Sequence, residues 1–286
     1  MTLEALAGSA VGPAALVAEA TLVAQFAAAT GDDPARWEGH APPGFAAAAL
    51  FSVAPAFLAD PRVAPYCRSL LHAEQAFTWQ RPLAVGEVLE VRGRVGTVRS
   101  RGDLHFVSFE VAASGAGGTW MQGVSGFLLS AEAAGVSPEE TEPPLEERAP
   151  CDAAGPVPLP PAGEAVPPLR RSVSRAELRR YAAATGDANP IHQDHDAARA
   201  AGLPGVVAHG LLLAAWFFQA AARFRSGPDP LRSARVRFRR PLRPAALAVV
   251  VGRVSGRGEA GTDLELALEV PGGGPPLATA TVRVTP

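Results

Sequence analysis

The chain repeats itself. Phe26-Ala-Ala-Ala-Thr-Gly31-Asp32 returns as Tyr181-Ala-Ala-Ala-Thr-Gly186-Asp187, and Phe77-Thr-Trp79-Gln-Arg81-Pro82-Leu83 returns as Val236-Arg-Phe238-Arg-Arg240-Pro241-Leu242. Between these echoes each copy carries a long apolar, Ala-rich segment, residues 45–58 and 211–224. After each segment come alternating stretches, 88–95 and 104–111 in one copy and 248–251 and 264–270 in the other, with the period of strands. Each copy therefore orders a short helix, a Gly-Asp loop, a long buried helix and antiparallel strands. One buried helix wrapped by an antiparallel sheet is an α+β layout. Two copies in one chain predict an internal pseudo-dimer with an isologous interface, as in a true two-fold pair.

The copies are separated by a change of composition. Residues 131–168 begin acidic, with Glu139, Glu140, Glu142, Glu146 and Glu147, and then turn to Pro156, Pro158, Pro160, Pro161, Pro167 and Pro168. Proline at this density neither pairs in a sheet nor continues a helix, so an extended linker is expected. The resulting division is an N-terminal half, 1–130, a linker, 131–168, and a C-terminal half, 169–286. A length of 286 residues suits two domains that each bury a core.

Composition excludes several chemistries. All 26 Lys+Arg residues are Arg, so a Schiff-base lysine and a P-loop lysine are both absent. A formal net charge of -2 gives no global pull toward nucleic acid or an anionic membrane. Cys67 and Cys151 are too few for a disulfide framework or a zinc cluster. The most apolar windows, 41–58 and 206–222, are interrupted by Pro42, Pro43 and Pro55 or by His209 and Gln219, and read as buried helices rather than membrane spans. The N-terminus lacks a basic leader region, and a cytoplasmic protein is expected.

The second copy carries the chemistry-bearing residues: Gly186-Asp187-Ala-Asn189-Pro190-Ile-His192, then Val207-Ala-His209-Gly210-Leu211. Asn189-Pro190 favours a turn, which lets Asp187 and His192 converge on one small pocket. A carboxylate and an imidazole there can hold a water between them, one taking a proton and the other delivering one. Asn189 would fix the loop or orient one of the pair. A helix starting near Gly210 would present unsatisfied N–H groups and a favourable dipole to a developing oxyanion. Taken singly, Asp187 reads as a cap or turn residue, and His192 as a satisfied polar side chain. Asp194, His195 and Asp196 read as a solvated loop face rather than metal ligands, because the expected ligand spacing is absent. No metal is expected.

The ordered combination resembles the hydratase motif of the MaoC-like family, the (R)-specific enoyl-CoA hydratases and 3-hydroxyacyl-thioester dehydratases of the hot-dog fold. The weaker repeat extends the likeness to a double hot-dog over nearly the whole chain. The resemblance implies cofactor-free, reversible addition of water to a trans-2-enoyl thioester carried on CoA or acyl carrier protein. It implies Asp187 and His192 as the acid–base pair, Asn189 as their support, and the Gly210 N–H as the group that polarises the thioester carbonyl.

The first copy departs from this motif. It reads Gly31-Asp32-Asp33-Pro34-Ala-Arg-Trp37, with no Asn-Pro and no His, and Pro43-Gly44-Phe45 stands in place of His209-Gly210-Leu211. The stretch before its long helix is shorter by about 11 residues, an ordinary amount of loop variation. His40 is the one candidate for a displaced partner of Asp32. In the resembling family such a degenerate half often opens a channel for a bulky acyl chain, so Phe45, Leu50, Phe51, Phe57 and Leu58 are candidates for tunnel lining or for ordinary core.

Arg235, Arg237, Arg239 and Arg240 lie in an arginine-rich run that is either a solvated strand face or a grip for CoA or phosphopantetheine phosphates. On a continuous strand the first three would share one face. Two other functions stay open: a hot-dog acyl-CoA thioesterase, since the scaffold hosts that chemistry too, and a non-catalytic acyl-thioester-binding subunit. A homodimer of double hot-dogs or a partner subunit is also possible.

Overall fold

The computed structural model describes residues 2–37, 39–133 and 141–286. Glu139 and Glu140 of the acidic stretch lie outside the described residues. The first half contains β1 (Ala10–Val17), α1 (Ala20–Thr30), β2 (His40–Ala41), α2 (Ala46–Leu58), β3 (Ser69–Trp79), β4 (Leu83–Ala84), β5 (Val88–Arg101), β6 (Leu104–Gly115) and β7 (Gly118–Ser130). The second contains β8 (Leu169–Arg171), α3 (Arg175–Thr185), α4 (His195–Ala200), α5 (Gly210–Ala222), β9 (Leu231–Phe238), β10 (Ala248–Gly258), β11 (Gly261–Glu269) and β12 (Ala278–Val284).

One ten-stranded antiparallel sheet runs β1-β5-β6-β7-β3-β9-β12-β11-β10-β8. Read from either end, the order is the same series of equivalent strands, so the pseudo-two-fold expected from the repeat passes between β3 and β9. These strands pair from Glu74↔Arg237 to Thr78↔Ser233. The other echoed segments meet across the same axis, where α1 packs on α3 with the Phe26 and Tyr181 rings 5.7 Å apart. The repeated Ala-Ala-Ala-Thr-Gly is a helix's last turn followed by a left-handed cap, with Gly31 at φ 69° and Gly186 at φ 80°. That cap turns the chain sharply and aims Asp32 or Asp187 inward.

The long helices α2 and α5 are apolar all round, and each is wrapped by its half of the sheet, which is the burial such a surface requires. Bonds across the axis tie α5 to the end of α1. Trp216 Nε1 and Gln219 Nε2 both donate to the Thr30 carbonyl, and Gln219 Oε1 accepts from the buried Arg171. A buried donor left without such a partner would cost about 1–3 kcal/mol.

From 141 to 168 the chain runs without helix or strand, apart from a bridge between Ala165 and Arg253. Its carbonyls serve as acceptors for arginine. Arg223 donates to Gly155, Pro167 and Pro168, and Arg257 to Leu159 and Pro160. Among the described residues no helix is long and apolar enough to cross a membrane.

Candidate active site

Asp187 follows the Gly186 cap, and its backbone N–H reaches the Thr185 hydroxyl at 3.3 Å. Asn189 Oδ1 then accepts from the Ile191 N–H, capping the short 3-10 turn Pro190–His192. This turn carries His192 back toward Asp187. The His192 ring is fixed from the other side, where Nδ1 lies 2.8 Å from the Val207 carbonyl. A carbonyl only accepts, so Nδ1 bears the hydrogen and Nε2 keeps its lone pair.

A third side chain completes the cluster. The His209 ring stacks on His192 with centroids 3.9 Å apart, and its Nε2 donates to the Asp187 carbonyl at 3.3 Å. The Tyr181 ring also packs on His209, with centroids 4.8 Å apart. Sequence reasoning reached His209 only as the residue before Gly210. Its sole sequence signal was a buried-type position at a helix start, which does not say what the ring would touch.

A carboxylate oxygen of Asp187 and ring nitrogens of His192 and His209 lie within 4.8 Å of one another. Two atoms that hydrogen-bond one water at tetrahedral angles are about 4.6 Å apart, so the spacing suits a water held by Asp187 and His192. It suits a metal poorly. Imidazole lone pairs lie in the ring plane, and two rings stacked with centroids 3.9 Å apart and planes 29° off parallel hold those planes side by side rather than crossing at a shared ligand position.

Burial sets the electrostatics. It pushes the Asp187 carboxyl up, against the opposing pull of His192 and of the Asn189 amide N–H. It pushes the His192 imidazole down, against the opposing charge of Asp187 and the Val207 carbonyl. Burial also holds His209 well below the ordinary histidine value and the Tyr181 phenol well above its own. The cluster thus favours neutral imidazoles beside a carboxyl poised to exchange a proton.

The pair faces a cavity of about 740 Å³. Gly210 opens α5 on its wall, and His209 provides no side-chain cap; Leu212 and Leu213 donate to the His209 carbonyl, which leaves the Gly210 and Leu211 N–H groups for a ligand. The first half supplies Phe51, Pro55 and Leu58 from α2, Leu70, Leu71 and His72 from β3, and Phe127 and Leu128 from β7. Of the tunnel candidates, only Phe51 and Leu58 reach the wall. Phe45, Leu50 and Phe57 are core, because helical spacing puts 51, 55 and 58 on one face and turns 50 and 57 away.

The cavity is open at the split between the two halves, where its lining residues Leu71, Ala73, Arg239 and Arg240 are exposed, as are Pro55, Ala59, Ala188 and Pro190 elsewhere on its wall. Pairing of β3 with β9 stops at Glu74↔Arg237, and beyond it Leu71, His72 and Ala73 face Phe238, Arg239 and Arg240 across a gap. A bulge between His72 and Glu74 turns His72 into this mouth, where its ring lies 5.0 Å from Phe127 and 5.2 Å from Phe238. Arg239 and Arg240 are therefore at the mouth. Arg235 and Arg237 are held by Glu74 outside it. The strand ends at Phe238, so the alternation expected through Arg239 does not continue.

Two further expectations are corrected or refined. His195, read as solvated, is tucked under the linker with Nδ1 4.0 Å from the Glu142 carboxylate, because α4 turns it inward; Asp194 caps that helix. In the first half Asp32 is buried as Asp187 is, yet its partner is Trp37, whose Nε1 donates to Oδ2 at 3.1 Å. Trp37 fills the place of a catalytic imidazole, and the void there is only about 10 Å³.

Comparison with known proteins places both halves. The domain described as "MaoC like domain" matches residues 160–266, and the "FAS1-like, dehydratase domain region" matches residues 5–119. The chain is similar to 3-hydroxyacyl-thioester dehydratase X of Mycobacterium tuberculosis, 35% identical over 216 residues that cover 74% of this chain and 68% of that one. A solved MaoC-like dehydratase superposes with a TM-score of 0.77 at 21% identity, over 99% of each chain. A conserved hypothetical protein of Mycobacterium tuberculosis, described as a double hot-dog fold, superposes with a TM-score of 0.66 at 14% identity, over 98% of this chain and 96% of that one. The fold is a double hot-dog.

Proposed function

Since this chain belongs to the MaoC-like dehydratase family and is a hydro-lyase, we propose that it adds water reversibly to a trans-2-enoyl thioester, giving the (R)-3-hydroxyacyl thioester. The observation that carries this reading is the Asp187–His192 pair, spaced for one water and facing an apolar cavity beside Gly210 at the start of α5. The water is held between the two side chains. As its oxygen bonds to C3 the pair takes its proton, and the electrons of the C2=C3 bond move toward the thioester oxygen. The Gly210 N–H and the helix dipole stabilise that charge. The pair then returns a proton to C2 and ends as it began. Asn189 keeps the turn in shape. The cavity, within the range that takes drug-sized ligands, suits an acyl group longer or bulkier than crotonyl. We assign Arg239 and Arg240 to the phosphates of CoA or of a phosphopantetheine arm. Cys67 and Cys151 are free thiols, in keeping with work in the cytoplasm.

The test is loss of enoyl absorbance with enoyl-CoAs of graded length, without added metal or nucleotide. Hydration that rises with chain length is expected. Release of free CoA with the enoyl absorbance unchanged would mark a thioesterase, and binding without turnover a non-catalytic subunit.

The pH dependence follows from the shifts. His192 accepts a proton only when neutral, and burial lowers its pKa, so it stays neutral to more acid pH than an ordinary histidine. In the hydration direction kcat/KM is expected to be flat through neutrality and to fall only below about 6.5, the ordinary histidine value. An acid limb at or above that value contradicts the role given to His192.

A further inference from the structure

The outer face of the first half's sheet carries an apolar strip that leads to the cavity mouth. Strand register places Arg99, Phe106, Leu128 and Leu71 in one row across β5, β6, β7 and β3. The adjoining row pairs Arg101 with Leu104. Phe106 is 46% exposed, Leu104 41% and Leu71 37%, whereas the inward-facing neighbours Val107 and Phe127 are buried. Leu71 and Leu128 also line the cavity, so the strip and the mouth are continuous. At about 4.8 Å per strand the strip spans roughly 15 Å.

The strip's own rows carry only positive charge; Glu74, in the next row on the same face, is taken up by Arg235 and Arg237. Arg99 and Arg101 flank the far end without a carboxylate partner among the described residues, and Arg239 and Arg240 flank the mouth. The rows themselves contain no acidic side chain; Asp103 sits in the turn beyond the strand ends. Packing on a second copy about a two-fold axis would bring these arginines against one another. An acidic partner meets them with opposite charge and covers the exposed apolar side chains.

We propose that the strip Leu71–Leu128–Phe106–Leu104, with its arginine rim, is the docking surface for an acidic acyl-carrier domain that delivers the thioester on a phosphopantetheine arm through the split between β3 and β9. The proposal rests on the enoyl-thioester reading above and names the carrier. Phe106 packs against the carrier, the arginines steer it, and the arm enters beside Arg239 and Arg240.

The test compares a long-chain trans-2-enoyl-CoA with an acyl carrier protein loaded with the same enoyl group, as substrates for the full chain and for two variants, Phe106→Asp and the Arg99→Glu/Arg101→Glu double variant. None of these residues lines the cavity. On the carrier-borne substrate kcat/KM is expected to fall by about tenfold or more in each variant, and wild-type activity to weaken with added salt. On the long-chain enoyl-CoA all three proteins should act alike, which also shows that the variants fold. Equal losses on both substrates, or no loss on either, overturn the proposal. So does a change of oligomeric state in the variants on size-exclusion chromatography, which would assign the strip to a second copy. If the wild type hydrates neither substrate, the enoyl-hydration reading fails, and docking is judged by binding to immobilised holo-carrier. Weaker binding by both variants then supports the surface, and equal binding overturns it.

Discussion

Asp187→Asn is expected to lower the turnover of an enoyl-CoA by about a thousandfold, the usual scale for removing a group that moves protons in the reaction. The change keeps the side chain's shape, so the turn through Asn189 and the bond that His209 Nε2 donates to the Asp187 carbonyl should persist. Stability should not suffer. Burial opposes the charged form of Asp187, and a neutral amide of the same size removes that cost. The thermal midpoint is therefore expected to stay within a few degrees of wild type or to rise, read by calorimetry beside the kinetic assay. Asp187 and His192 act on one water, so adding His192→Ala to Asp187→Asn should cost little more than either alone. Multiplicative losses, or near-wild-type turnover in Asp187→Asn, would remove Asp187 from the reaction.

Much of this arrangement was legible in the sequence because it depends on local rules. The echo of Phe26–Asp32 in Tyr181–Asp187 is a helix end with a glycine cap, and a cap has the same sequence signature wherever it occurs. The apolar runs around Leu50 and Trp216 had to be buried helices, since nothing else hides such a surface. The pairing of Asp187 with His192 followed from a short turn. What stayed hidden depends on register between distant strands. Glu74 captures Arg235 and Arg237 only because β3 meets β9 in one alignment, and the mouth exists only because that pairing stops at Glu74. No local pattern around Arg239 says that it stands at the mouth while Arg237 does not. The edge strands β1 and β8 were missed for the same reason: β8 is three residues long, and its pairing with β10 identifies it.

His209 is the member of the cluster whose contacts no motif announced, and its removal carries the second large effect. It performs two tasks. Its ring covers one face of His192, and its Nε2 holds the Asp187 carbonyl. His209→Ala withdraws both, leaving a cavity that lets His192 tilt and water approach. Displacement of a reacting group by about 1 Å costs on the order of a hundredfold, so a fall of that size in kcat is expected, with KM little changed. The pH profile separates this from a general loss of fold. Burial is what holds the His192 pKa down, so admitting water lets it rise toward the ordinary value. A histidine whose pKa rises is protonated sooner on acidification, and the acid limb of kcat/KM should therefore move to higher pH in His209→Ala. His209→Phe keeps a ring against His192 but offers no donor to Asp187. It should restore the acid limb to its wild-type position while leaving part of the kcat loss, because the stack is repaired and the carbonyl is not. An unmoved acid limb in His209→Ala, with the same kcat loss in both variants, would mean that His209 acts on Asp187 alone.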